Sequence, residues 1–204
     1  MEKKICEISD ITQGSILTRI KAIGHGSTIK AVTMQELSYY INASDEKGEE
    51  NEIAIEEKKL DNACFSRKGD ILVGLSSGKA MVVEEENSNK LVLSNFIRIR
   101  INDINFVDPY YLCWMLNENK DVLRTIASMT QGTARVSILP LAFLRDIQIK
   151  IIPIEEQRKI GRVYELSRKR TRIRRNKETL TYEINNKLLM EAYRKNNLGG
   201  KNNE

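Results

Sequence analysis

A single histidine limits the chemistry open to this chain. His25 is the only one among 204 residues, which removes most His-based triads together with multi-histidine metal sites and proton relays. Cys6, Cys64 and Cys113 are odd in number and far apart, so they form neither a disulfide framework nor a CxxC pair. They are expected as reduced, mostly buried thiols. Asp108-Pro109-Tyr110-Tyr111 lacks the second proline of the Asn/Asp-Pro-Pro-Tyr turn with which an adenine methyltransferase presents acceptors to its target amino group. Asp108 with Glu118-Asn119-Lys120 has the residue types of a metal-dependent nuclease, but such carboxylates must converge on a cation from adjacent strands, and these fall along one expected helix. Gly74-Leu75-Ser76-Ser77-Gly78-Lys79-Ala80 lacks the Walker A spacing and the Ser/Thr after lysine, and Gly24-His25-Gly26 is a fragment of a nucleotide-binding glycine loop. No catalytic residue and no metal ligand is expected.

The same loops suit contact with nucleic acid. Small residues around Ser76, Ser77 and Lys79 permit close backbone approach, and their hydroxyls and ammonium can reach phosphates. Residues 131–137 add Gln131, Thr133, Arg135 and Ser137, of which Gln and Arg can read base edges with two hydrogen bonds. A third stretch, residues 24–30, offers His25, Ser27, Thr28 and Lys30. Each alone reads first as an ordinary surface loop. Three on one neutral domain attached to a basic helix strengthen the case for nucleic-acid contact.

Scaffolding for these loops is readable from periodicity. Apolar residues are 41% and charged residues 30% of the chain, a balance that supports a packed core. Gly69-Asp70 opens Ile71 to Gly74, and Gly78 precedes Ala80 to Val83, so two strands should flank the Ser76-Ser77 turn. Phe96 to Ile101 alternates apolar and basic residues, predicting a half-buried strand with its arginines outward, and Ile147 to Ile151 alternates again. Asp108-Pro109 predicts a helix N-terminus, Asp121 to Met129 a second helix, and residues 42–60 a variable acidic surface insertion.

Pro153 divides the chain by charge as well as by structure. Residues 155–204 hold 14 Lys/Arg against 7 Asp/Glu, or +7, whereas residues 1–154 hold 19 against 21, or −2. The expected fold class is α+β: a mixed α/β globular domain at 1–153, a long coiled-coil-forming helix at 154–195, and a disordered tail at 196–204. Val163, Leu166, Ile173, Leu180 and Ile184 form a heptad stripe, with Arg170 and Lys177 at intervening seam positions. A helix of ~40 residues reaches ~60 Å, further than a small domain covers, so the stripe calls for a second helix, most simply in a homodimer. Docking of the helix on its own domain is the alternative. No segment approaches a membrane span and no signal-peptide block opens the chain, so a cytoplasmic location without membrane contact is expected.

The order of these features resembles a known family. Lys68 to Gly74, Gly78-Lys79-Ala80, Leu93 to Ile99, Asp108 to Leu112, Gln131-Gly132-Thr133 and, above all, Ile149 to Ile160 with Pro153 and Glu156-Gln157 are similar to the specificity (S) subunit of type I restriction-modification systems. Ile154 stands where members often carry a second proline, and the chain has one recognition domain and one long helix where two of each are usual. The resemblance implies a noncatalytic, half-sized DNA-reading subunit that recognises half of a bipartite target. It implies that Ser9 to Lys30, Ser76 to Lys79 and Gln131 to Ser137 approach double-stranded DNA, and it implies modification and restriction subunits as partners, with S-adenosylmethionine, ATP and Mg in those partners and no cofactor in this chain. A standalone DNA-binding regulator, or an interaction protein docking through its helix, are the other readings.

Overall fold

The computed structural model describes residues 1–22, 26–130 and 139–199. Strand β1 (Glu2–Lys4) leads through a single helical turn, α1 (Ile5–Ile8), into β2 (Ser9–Gln13), and a second turn, α2 (Leu17–Ile20), follows. After β3 (Ser27–Ala31), helix α3 (Met34–Tyr40) and β4 (Asn51–Ile55) come β5 (Ile71–Gly74), β6 (Ala80–Val82) and β7 (Phe96–Ile101). Helices α4 (Pro109–Glu118), α5 (Lys120–Thr130) and α6 (Leu141–Asp146), strand β8 (Gln148–Lys150) and helix α7 (Ile154–Gly199) complete the chain.

Three antiparallel sheets share this framework: β2-β7-β5-β6, β1-β8 and β3-β4. The hairpin expected around Ser76 is β5-β6, with Val73 opposite Ala80. One face of the four-stranded sheet packs on α4, where Ile71, Val73, Ile97 and Ile99 meet Leu112, Cys113 and Leu116. The other face buries Leu72, Met81 and Phe96 against α3. Asp108 caps α4 by accepting the Tyr111 N–H at 2.8 Å, with Pro109 at the first helical position, as the sequence predicts. The helical run breaks at Asn119, which turns its side chain to accept from the N–H groups of Asp121 and Val122 and so starts α5.

Several expectations change. Arg98 and Arg100 of β7 do not face water: Arg100 makes two hydrogen bonds, 2.7 and 2.8 Å, to the buried carboxylate of Asp70, and Arg98 reaches Asp10 and the Phe65 carbonyl. The sheet has a second covered face, so alternation there marks two interiors rather than core and solvent. Residues 42–60 are only partly an insertion, because Ile53 and Ile55 are buried in β4 beside β3. Cys64 and Cys113 are buried, but Cys6 is exposed. Helix α7 continues beyond Lys195 to Gly199, and the remainder of the expected tail, 200–204, lies outside the described residues.

Candidate nucleic-acid interface and helix seam

One end of the four-stranded sheet collects the polar residues that could read DNA. There β2 and β5 finish while β7 and β6 begin, since Gln13 pairs with Ile97, Gly74 with Phe96 and Val73 with Ala80. The segment Ser94-Asn95 ties the strands together: the Ser94 N–H donates to the Ser15 carbonyl at 2.9 Å, and the Leu75 N–H donates to the Asn95 carbonyl at 2.9 Å. Gly78 takes the left-handed φ of +62° that closes the turn, a conformation in which its missing Cβ avoids strain. Ser76 and Ser77 are thereby held exposed at the tip. Ser77 Oγ also accepts the Lys79 N–H at 3.2 Å, which fixes the turn.

Lys79 is more committed than its sequence position suggests. Its ammonium donates to the Asn117 carbonyl at 3.3 Å, at the C-terminal end of α4. An ammonium has three donors, so two stay available to phosphate. Leu139 donates its N–H to the Leu75 carbonyl at 3.2 Å, which brings the chain leaving residues 131–138 to the same turn. Gln131, Thr133, Arg135 and Ser137 lie outside the described residues, as does His25.

Ser27, Thr28 and Lys30 occupy a different sheet. They stand on β3, whose partner β4 comes from the acidic segment, so carboxylates surround them. The Lys30 ammonium sits 2.5 Å from Glu50 Oε2, and this hydrogen bond holds its pKa above the ordinary lysine value. Ser27 Oγ faces Glu57 at 3.5 Å. Negative charge against this strand disfavours a phosphate there, whereas the turn at Ser76 has no such neighbour among its described contacts.

Gln13 lies in the Ser9 to Lys30 stretch expected to approach DNA, whereas Asn95 was not singled out from sequence as a contact. Both are exposed at the sheet end, and the Gln13 amide donates to the Ser94 carbonyl at 3.1 Å. Asn and Gln are the side chains suited to adenine edges. In sequence they are ordinary polar residues beside strands, and only the pairing of β2, β5 and β7 places them together.

Helix α7 has two faces with opposite fates. At about 100° per residue, Gln157, Gly161, Tyr164, Arg168, Arg172 and Arg175 share one face. That face docks on the domain. Gln157 is fully buried and satisfied, accepting from the Asp108 N–H and donating to the Phe106 and Ile152 carbonyls. Gly161 packs where a Cβ would run into the Asp108 carboxylate and the Tyr111 backbone. Arg168 donates to the Ile41 carbonyl and pairs with Glu118, while the Arg172 guanidinium lies over the Tyr39 and Tyr40 rings at 5.3 and 4.8 Å. Self-docking thus occurs, but it does not use the seam. Val163, Leu166, Ile173, Leu180 and Ile184 lie on the opposite face and are all exposed, from 47% at Leu166 to 68% at Val163 and Ile173. Arg170 and Lys177 share that face and make no ion pair among the described residues.

Among the described residues, no group of three or more His, Cys, Asp or Glu could hold a metal ion, and no helix is long and apolar enough to cross a membrane. No protein-family model matches the sequence, and no curated protein matches it. Solved structures do match. The fold is similar to the HsdS subunit from Thermoanaerobacter tengcongensis, with a TM-score of 0.61 at 16% identity over 94% of this chain and 47% of that one. It is also similar to a chain solved in work on complex assembly and conformational transition of the type I R-M system, with a TM-score of 0.59 at 15% identity over 95% of this chain and 48% of that one. The chain spans about half the length of these structures and has the fold of that half.

Proposed function

We propose that this chain is a half-sized specificity subunit of a type I restriction-modification system, a noncatalytic protein that reads one half of a bipartite DNA target. The observation that carries the reading is the pairing, in one HsdS-like fold, of a polar sheet end with a long helix whose apolar stripe points away from its own domain. Gln13, Ser76, Ser77, Lys79 and Asn95 face the DNA, together with the candidates at 131–137. Ser27, Thr28 and Lys30 contribute less because of the carboxylates around them. Methyl transfer and DNA translocation belong to modification and restriction subunits, which bring S-adenosylmethionine, ATP and Mg.

The seam supplies the second half of the target by homodimerisation. In heptad terms Val163, Arg170, Lys177, Ile184 and Glu191 are a positions, and Lys159, Leu166, Ile173, Leu180 and Lys187 are d positions. A parallel pair would stack Arg170 on Arg170 and Lys177 on Lys177. An antiparallel pair avoids both. The register that sets Glu191 against Lys159 of the second copy also sets Ile184 on Leu166, Lys177 on Ile173 and Arg170 on Leu180. Two recognition domains related by a two-fold axis then read a palindromic bipartite site.

Co-purification with candidate modification subunits, followed by mapping of methylated adenines in genomic DNA, tests the function. A two-part palindromic motif that disappears when the Ser76-Ser77 turn is replaced by Ala-Ala is the expected result. Methylation unchanged by loss of this chain would overturn it.

A further inference from the structure

A groove runs along the flank of α7 beside α4, with a volume of about 800 Å³, and Trp114, Ile160, Val163, Ser167 and Thr171 are among its lining. It continues the helix seam, because Val163 belongs to both. Trp114 is partly buried, its ring tilted against Tyr111 at 5.9 Å between centroids, and Ser167 and Thr171 are short enough to let another chain approach the α7 backbone. The lining also includes Glu118, Lys159 and Arg175, and on the opposite flank Arg158 and Arg162 are paired with Glu155 and Glu165.

We propose that this groove receives Leu188 from the α7 of a second copy. The proposal rests on the antiparallel homodimer described above and adds a contact between the helix of one copy and the globular domain of the other. Ile160, Ser167, Arg174, Thr181 and Leu188 are the e positions of the heptad, and Ile160 and Ser167 among them line the groove. In an antiparallel pair e residues meet e residues, and the register set by Glu191 against Lys159 brings Leu188 of one copy to the level of Ile160 in the other. Ser167 then faces Thr181, two small side chains, and Arg174 meets Arg174 of the second copy at the two-fold axis, each beside the Glu178 of its own helix at 3.7 Å. Leu188 is 58% exposed in the single chain and its own domain offers it no cover. The charged pair and the apolar contact come from one register, with no separate adjustment.

Trp114 is the only tryptophan in the chain, so its emission reports on this groove alone. The full-length protein is diluted through its dimer-to-monomer transition, followed in parallel by light scattering and tryptophan emission. Emission should move to longer wavelength by several nanometres as the dimer dissociates. Leu188→Ser should remain a dimer by scattering at high concentration yet show the red-shifted emission throughout. Leu189→Ser, one residue along and off the seam, should behave as wild type. A wild-type dimer whose emission does not change on dissociation, or a Leu188→Ser dimer with wild-type emission, overturns the groove contact and leaves the homodimer standing. A chain that is monomeric at every concentration overturns the homodimer and the groove contact with it.

Discussion

Replacing Leu166 and Ile184 together by lysine tests the seam most sharply. In the proposed antiparallel register each Leu166 meets Ile184 of the second copy, so the double variant would set lysine against lysine at two layers of the dimer. The two side chains are 47% and 57% exposed in the single chain, which leaves about half of each for a partner to cover. Complete burial of such side chains stabilises by ~1.5–3 kcal/mol each, so half-burial of the four in a dimer amounts to roughly 3–6 kcal/mol. At about 1.4 kcal/mol per factor of ten, association should weaken ~10²–10⁴-fold before charge repulsion is added. The monomer should be unaffected, since both sites are exposed and lysine is nearly as good a helix former as leucine. Light scattering at tens of micromolar, with thermal unfolding as the control on folding, reads the outcome. A wild-type monomer at that concentration, or a double variant that stays dimeric with unchanged affinity, would refute the reasoning.

Other perturbations probe the rest of the architecture. Gly161→Ala forces a methyl group into Asp108 and the Tyr111 backbone and should destabilise the domain by ~1–3 kcal/mol in urea unfolding, an overpacking cost. Glu36→Ala strands the Lys90 ammonium, which sits 2.5 Å from that carboxylate with both side chains under 10% exposed, and should cost ~3–5 kcal/mol. Glu36 also closes the α3 capping box by accepting the Thr33 N–H, so a loss near zero would show that the ion pair does not form. Burial pushes the Cys113 thiol up to about 12 and raises the Tyr110 and Tyr164 hydroxyls. The folded state therefore holds protons that the unfolded chain releases from about pH 8.5, so stability should be intact below that pH and fall as pH rises toward the folded values, less steeply in Cys113→Ala. In the methylating complex proposed above, Asn95→Ala should relax specificity by ~1–3 kcal/mol at one base position, whereas Lys79→Ala should weaken binding alike on all sequences and flatten its salt dependence, both read by fluorescence anisotropy.

Local signals were the legible part of this protein. Asp108-Pro109, the glycine-bounded hairpin, the alternation in β7 and Pro153 at the foot of the long helix each act within a few residues, through capping, φ restriction or side-chain period. They place α4, β5, β6, β7 and the start of α7 where the structure has them. The polarity of the Ser76 turn and the heptad stripe are local in the same sense. What required tertiary structure was every choice between partners. Residues 51–55 read as acidic surface until β3 supplies a neighbour that buries Ile53 and Ile55. Arg98 and Arg100 read as solvent-facing until Asp70 and the Phe65 carbonyl give them partners inside. Asn95 is unremarkable until three strands end side by side, and Gln157 shows its purpose only where its amide joins residues 106–108 to the helix. For α7 the period showed a stripe, but an apolar residue carries no label for what will cover it. The domain docks on the arginine and tyrosine face because Gly161 permits close approach there and the Ile41 and Asn42 carbonyls, just past α3, accept from the Arg168 and Arg175 guanidinium groups. The seam is left facing outward by that choice, which depends on contacts across more than a hundred residues of chain.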